Sequence, residues 1–417
     1  MSWREAIIGL HSRNKDVEWA HRKKINDGGK EMFSDLFKNG FLGTGIEDLL
    51  KRTEAGEGTI KENMDDLRDI LENEIIKSKS SDEEKKNMLK RLRTFCDSET
   101  NIMLVGATGC GKSSTINALF ACGEEADEVI TDVVVDEDNS NIVEISKKRR
   151  YVEVAKVGSK ADPETKDIEK YQIGKLVLWD TPGLGDGTEI DEHHKEVITE
   201  LLREEDEEGN ALIDLVLVIL DGSTRDLGTS YKILNDVIIP ELKDETGRIL
   251  IALNQADIAM KTGRHWDYEK NEPDETLIQF LNEKVESIRT RIKEDSNLDV
   301  SPVYYCAGYE EESGDVVRPY NLSKLLYYIL EAIPAQKRVA VMEGINTDSD
   351  NYEHNDDDMD YNEEVKESFY DSFDYISDGV DKGAEIGETI LGIPGAIVGA
   401  FVGGFVGCVR SILDEIF

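Results

Sequence analysis

Residues 101–119 read NIMLVGATGCGKSSTINAL, and they decide the fold. Gly106, Gly111, Lys112 and Ser113 complete the spacing G-x-x-x-x-G-K-[ST], after a short apolar run and before residues that suit a helix start. A row of phosphates needs several backbone N–H groups converging on one concave surface, and glycine lets the chain bend that tightly while leaving the surface uncovered. The pattern predicts a strand, a phosphate-binding loop, and a helix whose N-terminal dipole end faces the anion. The expected contacts are Gly106, Thr108, Gly109, Cys110, Gly111, Lys112, Ser113 and Ser114. Among them Lys112 would reach the β- and γ-phosphates, and the Ser113 hydroxyl would ligate Mg2+.

Working outward, the apolar run Lys175–Trp179 reads as a buried strand that delivers Asp180, Thr181, Pro182 and Gly183, a D-x-x-G pattern. There Asp180 would hold a water on the metal, and the Gly183 N–H would bond a γ-phosphate oxygen and release it after hydrolysis. Two further continuous apolar strands are expected at Leu215–Leu220 and Ile249–Leu253, as in a sheet covered on both faces. Beyond the second lie Asn254, Gln255, Ala256 and Asp257, at the sheet edge where ligands of open α/β proteins bind. A carboxylate at Asp257 accepts from the N1–H and 2-amino group that guanine has and adenine lacks. Asn254 would tie this loop to the phosphate loop, and Gln255 would lay its stem along the base. A last strand, Val303–Cys306, brings Ala307 and Gly308 to the same edge, where their amides would reach the base oxygen.

Four motifs in this order resemble the Ras-like P-loop GTPases, within the Era and septin branch, over Glu99–Ala335. DTPGLGDG at Asp180–Gly187 and NQADIAMKTGRHWD at Asn254–Asp267 are similar to a bacterial, often prophage-borne, family of Era-like GTPases related to the immunity-related, dynamin-like GTPases of animals. The resemblance implies an α/β domain with a mostly parallel sheet and helices on both faces, binding GTP or GDP with Mg2+. Lys112, Thr165 and Gly183 would then serve the reaction, with Ser113, Thr165 and Asp180 around the metal. It also implies self-association, as a homodimer or higher oligomer, in the GTP state. The chain departs from the signalling members in carrying Gln255 where they have lysine, and Leu184 where they have a water-orienting glutamine. Leucine cannot orient water, so hydrolysis would be slow or completed by another group. His193 or His194, or Arg225 or Arg264 acting in trans, are the residues considered, each set against a plain solvated or ion-paired surface role. A GTP-binding scaffold with negligible turnover stays open as the alternative function.

The remaining chain divides into an N-terminal helical region (1–98), the nucleotide domain (99–340), an acidic linker (341–382) and a glycine-rich apolar segment (383–417). Ile60, Met64, Leu67, Leu71 and Ile75 recur at helical spacing, and Ser81 with Glu84 forms a capping-box pattern before a helix bearing Met88, Leu92 and Phe95. Residues 121–160 are acidic first and basic around Lys147–Arg150, with strand-like alternation only at Tyr151–Val157, and stay unassigned. The acidic run Thr347–Asp381 reads as a flexible linker whose Phe369, Tyr370, Phe373 and Tyr375 suit a late amphipathic helix. Thr389–Val409 is uncharged, with Gly395, Gly399, Gly403 and Gly407 four residues apart. It suits a bilayer by length and pattern, or else a hairpin packed on the N-terminal helices, or a glycine-rich loop.

The formal net charge of -40 would repel nucleic acid at long range, so nucleic acid is not an expected partner. Cys96, Cys110, Cys122, Cys306 and Cys408 show no paired spacing, which argues against a disulfide framework or a zinc site and for a reducing cytoplasm, with the inner membrane face as the expected location if 389–409 engages a bilayer. The opening MSWREAIIGLHSRNK has too short an apolar run for a secretory signal.

Overall fold

The computed structural model describes residues 52, 60–77, 81–120, 122–135, 141–152, 154–155, 168–183, 188–206, 209–224, 227–242, 245–260, 264–310, 316–372, 413–414 and 416–417. They fall into two units, Asp97–Ser372 with Asp414–Phe417, and a second drawn from Met1–Cys96 and Phe373–Leu413. In the second unit the described helices are α1 (Ile60–Lys77) and α2 (Asp82–Asp97), where the periodicity places them. Arg93 reaches back from α2 to Glu72 of α1 at 3.0 Å, and Leu92 is buried.

The larger unit is built on six strands. In chain order they are β1 (Thr100–Gly106), β4 (Glu169–Ile173), β5 (Leu176–Asp180), β6 (Leu215–Asp221), β7 (Ile249–Asn254) and β10 (Val303–Tyr304). The numbers between belong to a β2–β3 hairpin (Cys122–Val135, Asn141–Val152) and a short β8–β9 ladder (Trp266–Asp267, Glu272–Pro273). Across the sheet the order is β10-β7-β6-β1-β5-β4. Every neighbouring pair is parallel except β4 with β5.

Every residue of β1 and of β7 is buried, which requires cover on both sheet faces because successive side chains point opposite ways. Each large apolar side chain so placed, such as Ile102 or Leu104, contributes about 1.5–3 kcal/mol relative to exposure. The crossover helices include α3 (Lys112–Leu119), α4 (Thr188–Arg203), the short α5 (Gly228–Ile233) and α6 (Ile239–Leu242), and the long α7 (Glu275–Ser296). Asp274 caps α7 by accepting from the Leu277 N–H at 2.9 Å, and Leu277, Leu281, Ile288 and Ile292 form its buried face. Chain order runs from β1 to β5 on one side and then to β6 on the other. This puts the point where strand order reverses at the C-terminal end of β1.

Two expectations change. The unassigned stretch after α3 pairs as the β2–β3 hairpin, with Asp127 opposite Arg149 and Glu128 opposite Lys148 in the backbone register. The acidic run is not a linker up to residue 372: a helix spans 361–372, and Tyr352, Tyr361, Val365 and Phe369 are buried within the unit. Composition hides this because the apolar residues are few but helically spaced, with Tyr361, Val365 and Phe369 each four apart. The same segment closes the end of α3. Asn346 N and Tyr352 Oη donate to Leu119 O at 2.8 and 3.4 Å, Asn351 Nδ2 to Ala118 O at 3.2 Å, and Asn346 Nδ2 to Asn117 O at 3.2 Å. These are carbonyls a helix end otherwise leaves unpaired. Lys324 and Asp356, both half-buried, pair at 2.5 Å and hold the segment to the helix α8 (Leu322–Ala332).

Among the described residues no helix is long and apolar enough to cross a membrane. The segment 389–409 lies outside them.

Candidate functional site

The loop between β1 and α3 turns back on itself through two left-handed glycines, Gly109 at φ 77° and Gly111 at φ 91°. Gly111 is also a contact point, since a Cβ there would collide with the Asn254 amide. Gly106 is constrained by packing, because its Cβ would lie 2.6 Å from Cys110 Sγ. Lys112 is buried, and its ammonium turns to the Gly106 and Ala107 carbonyls at 3.4 and 3.5 Å. Ser114 follows Ser113 in the first turn of α3, half-buried. Thr115, one residue on, meets Tyr305 from beyond β10 at 2.6 Å, hydroxyl to hydroxyl, and so ties α3 to the far side of the site.

At the end of β5, Asp180 Oδ2 accepts from Ser113 Oγ at 2.8 Å. Asp180 Oδ1 is buried with no partner among the described residues. Burial raises the Asp180 pKa, opposed in part by the nearby Lys112 ammonium and the Ser113 bond. A buried carboxylate and a half-buried hydroxyl at bonding distance, one oxygen still unpartnered, form the donor set that suits a hard divalent cation such as Mg2+. The next residue, Thr181, donates through Oγ1 to Leu104 O at 2.7 Å, which fixes the exit from β5 against β1. Gly183 then lies against the phosphate loop: a Cβ on it would sit 2.6 Å from Thr108 Cα.

At the other end, Asn254 joins two loops. Its Nδ2 donates to Cys110 O at 3.0 Å and its Oδ1 accepts from the Ala307 N–H at 3.0 Å. Gln255, held in a left-handed conformation at φ 62°, donates from Nε2 to Gly109 O at 3.0 Å. Asp257 is buried and its Oδ2 has no partner among the described residues. Burial raises its pKa, with the Cys306 thiol and nearby backbone N–H groups opposing. An orphaned carboxylate oxygen beside the phosphate loop suits a base with adjacent N–H donors, which is guanine chemistry.

Several expectations meet the structure differently. The Ala307 amide is engaged by Asn254, and the Gly308 amide points to Cys306 Sγ at 3.4 Å, so in this arrangement neither is offered to a base oxygen. The amide of Gln255 is turned to the phosphate loop. Of the histidines, His193 is exposed, whereas His194 is buried and lies 3.2 Å from Gly183 O through Nδ1. Reading both as a solvated face therefore holds for His193 alone. The signal was available: His194 is four residues before Ile198 and seven before Leu201, on the apolar stripe of α4. Arg264 is exposed. Thr165, Leu184 and Arg225 lie outside the described residues. Sequence reasoning missed Asn117, whose side chain accepts from the Val154 and Ala155 N–H groups at 2.9 and 2.8 Å and donates to Ala155 O at 2.7 Å. It missed the Thr115–Tyr305 and Cys306–Asp257 contacts too.

Residues 101–255 match the family model described as "50S ribosome-binding GTPase". No curated protein matches the chain by sequence. Among solved structures, an Era variant of Aquifex aeolicus bound to GDP·AlF4− is 17% identical with a TM-score of 0.30, the match covering 57% of this chain and 57% of that one. The chain thus spans little more than half of that Era chain. Toc33 from Arabidopsis thaliana with GDP and Mg2+ is 16% identical at a TM-score of 0.34, over 63% of this chain and 96% of that one. A chain of an oligomerised bacterial dynamin pair is 16% identical at 0.35, over 78% and 57%. The matched segment and the sheet order together make this region a Ras-like P-loop GTPase domain, flanked by helical regions.

Proposed function

We propose that the chain binds GTP with Mg2+ at this site and hydrolyses it to GDP and phosphate. The observation that carries the reading is the pair of orphaned carboxylate oxygens, on Asp180, which is bonded to Ser113 of the glycine loop, and on Asp257, in the segment that Asn254 and Gln255 join to the same loop. The loop amides of Gly106–Ser114 would cradle the phosphates, and Lys112 would exchange its two long carbonyl contacts for the β- and γ-phosphate oxygens. Ser113 and Asp180, joined by Thr165, would hold the metal. A bound Mg2+ neutralises charge on the transferring group. The Gly183 N–H would report the γ-phosphate. Asp257 would select guanine, Asn254 and Gln255 would hold its loop to the phosphate loop, and Ala307 and Gly308 would line the base once released from their present bonds.

Within this class we place the chain near the Era-like, prophage-borne branch on its DTPGLGDG and NQADIAMKTGRHWD segments. Leu184 supplies no water-orienting group, so turnover by an isolated chain is slow and rises when a second copy completes the site. Nucleotide state would then govern self-association, and engagement of the cytoplasmic membrane face through 389–409. Purified protein with Mg2+ should release phosphate from GTP and not ATP, with turnover per molecule increasing with protein concentration. Turnover independent of concentration removes the dimer. Guanine nucleotide binding with no release above the uncatalysed rate leaves a GTP-binding scaffold, the alternative that Leu184 favours. Flotation with vesicles in GTP and GDP, compared with a chain ending at Asp381, tests the membrane part. Equal flotation of the two chains would exclude 389–409 as the anchor.

A further inference from the structure

Gly183 is held from two sides. On one side it packs on Thr108 of the phosphate loop, so closely that a Cβ would lie 2.8 Å from the Thr108 backbone nitrogen. On the other its carbonyl faces His194 Nδ1 at 3.2 Å. A carbonyl only accepts, so Nδ1 carries the proton. His194 is 5% exposed and shares the inward face of α4 with Ile198, Leu201 and Leu202, which belong to the central core. One glycine thus bridges the phosphate loop and a helix anchored in the core.

We propose that His194 is a positioning residue that fixes the Gly183 carbonyl and transmits the γ-phosphate state from Gly183 to α4. The proposal rests on reading the site as a GTP site. Glycine is the residue with most backbone freedom to lose, and its N–H must be aimed at a phosphate oxygen present in GTP and absent in GDP. Holding the carbonyl restricts rotation about the Gly183 Cα–C bond, so less ordering remains when GTP binds. The same bond makes any displacement of Gly183 a displacement of His194, and so of α4. Because only the GTP state uses the Gly183 N–H, the contribution belongs to GTP affinity and not to GDP affinity.

The test compares full-length wild type with His194→Asn, whose Nδ2 sits near the position of Nδ1, and with His194→Phe, which keeps a ring and loses the donor. Dissociation constants are measured for Mg2+·GDP and for a Mg2+-bound non-hydrolysable GTP analogue, together with amide hydrogen exchange over 188–203 in each state. Loss of one neutral hydrogen bond predicts that His194→Phe weakens the analogue about three- to tenfold, with GDP changed by less than about twofold. The nucleotide-dependent difference in exchange over α4 shrinks with it, and His194→Asn restores both. Should His194→Phe fail to fold, His194→Gln, which carries its donor one bond further out, stands in with the same expectation. Equal weakening of both nucleotides, or an Asn variant that behaves as Phe, overturns the proposal. Wild-type protein that binds neither nucleotide overturns the reading of the site and this proposal with it. Wild type that binds both, with a Phe variant discriminating just as well, overturns the proposal alone.

Discussion

Asp257 keeps Oδ2 buried without a partner among the described residues. Leaving a buried polar atom unpaired costs about 1–3 kcal/mol, and more when it is charged. On the proposed reading, a base that brings two adjacent N–H donors removes that cost, which favours guanine over adenine. The same burial raises the Asp257 pKa. A carboxyl with a raised folded pKa binds its proton more tightly in the folded than in the unfolded chain. Its contribution to ligand-free stability is therefore full below the unfolded pKa and is lost as pH rises through the folded one. Asp180 has the same direction and adds to the slope. Asp257→Asn should flatten that pH dependence in thermal melts of the ligand-free protein. It should also weaken GTP at least about tenfold, because the charge that accepts from guanine is gone. A variant with wild-type GTP affinity would show that Asp257 does not read the base.

At the scale of elements, the phosphate loop and the loop after β7 are one assembly, joined by Asn254 to Cys110 and by Gln255 to Gly109. Gly111 makes room for that joint and Gly109 does not, since a Cβ on Gly109 meets nothing within 4 Å. Both glycines are left-handed, so alanine costs about 1–2 kcal/mol of backbone strain at either position. Gly111→Ala must also displace the Asn254 amide. In ligand-free melts it should therefore be the less stable of the two variants, by about another 1 kcal/mol. Equal melting temperatures would show that the joint adds nothing. The buried strands were legible because a sheet covered on both faces needs continuous apolar runs, and Leu215–Leu220 and Ile249–Leu253 are such runs. The β2–β3 hairpin was not. Its first strand carries Glu124, Glu125, Asp127 and Glu128, residue types depleted in strands, and its register depends on a partner a loop away. The 345–372 segment was missed because average composition hid single residues whose work is local, such as Asn346 and Tyr352 at the end of α3. His194 is hard to read because charged residues crowd it in the chain, whereas its burial follows from the helical face it shares with Ile198 and Leu201.

Over the whole molecule, the Ras-like domain supplies the site and extends further toward the C-terminus than the motifs alone mark out. Its sheet runs up to β10 and its packed chain to residue 372, with Phe417 against Tyr352 at 4.8 Å between ring centroids. The chain carries a net charge of -40, so on the proposed reading the nucleotide is drawn by local donors and not by the overall field. On the same reading the burden falls on the loop amides, on Lys112 and on the metal, and strong dependence of binding on Mg2+ is the expected outcome. The most direct measurement is an equilibrium titration of the full-length chain with a fluorescent GTP analogue, competed with unlabelled GTP or ATP, in Mg2+ and in chelator. GTP should displace the analogue at concentrations at least about a hundredfold below those needed with ATP, because ATP leaves Asp257 unpaired. Affinity should also be lost in chelator and in Lys112→Ala. Displacement by ATP as readily as by GTP, or binding indifferent to both Mg2+ and Lys112, would contradict the proposed reading.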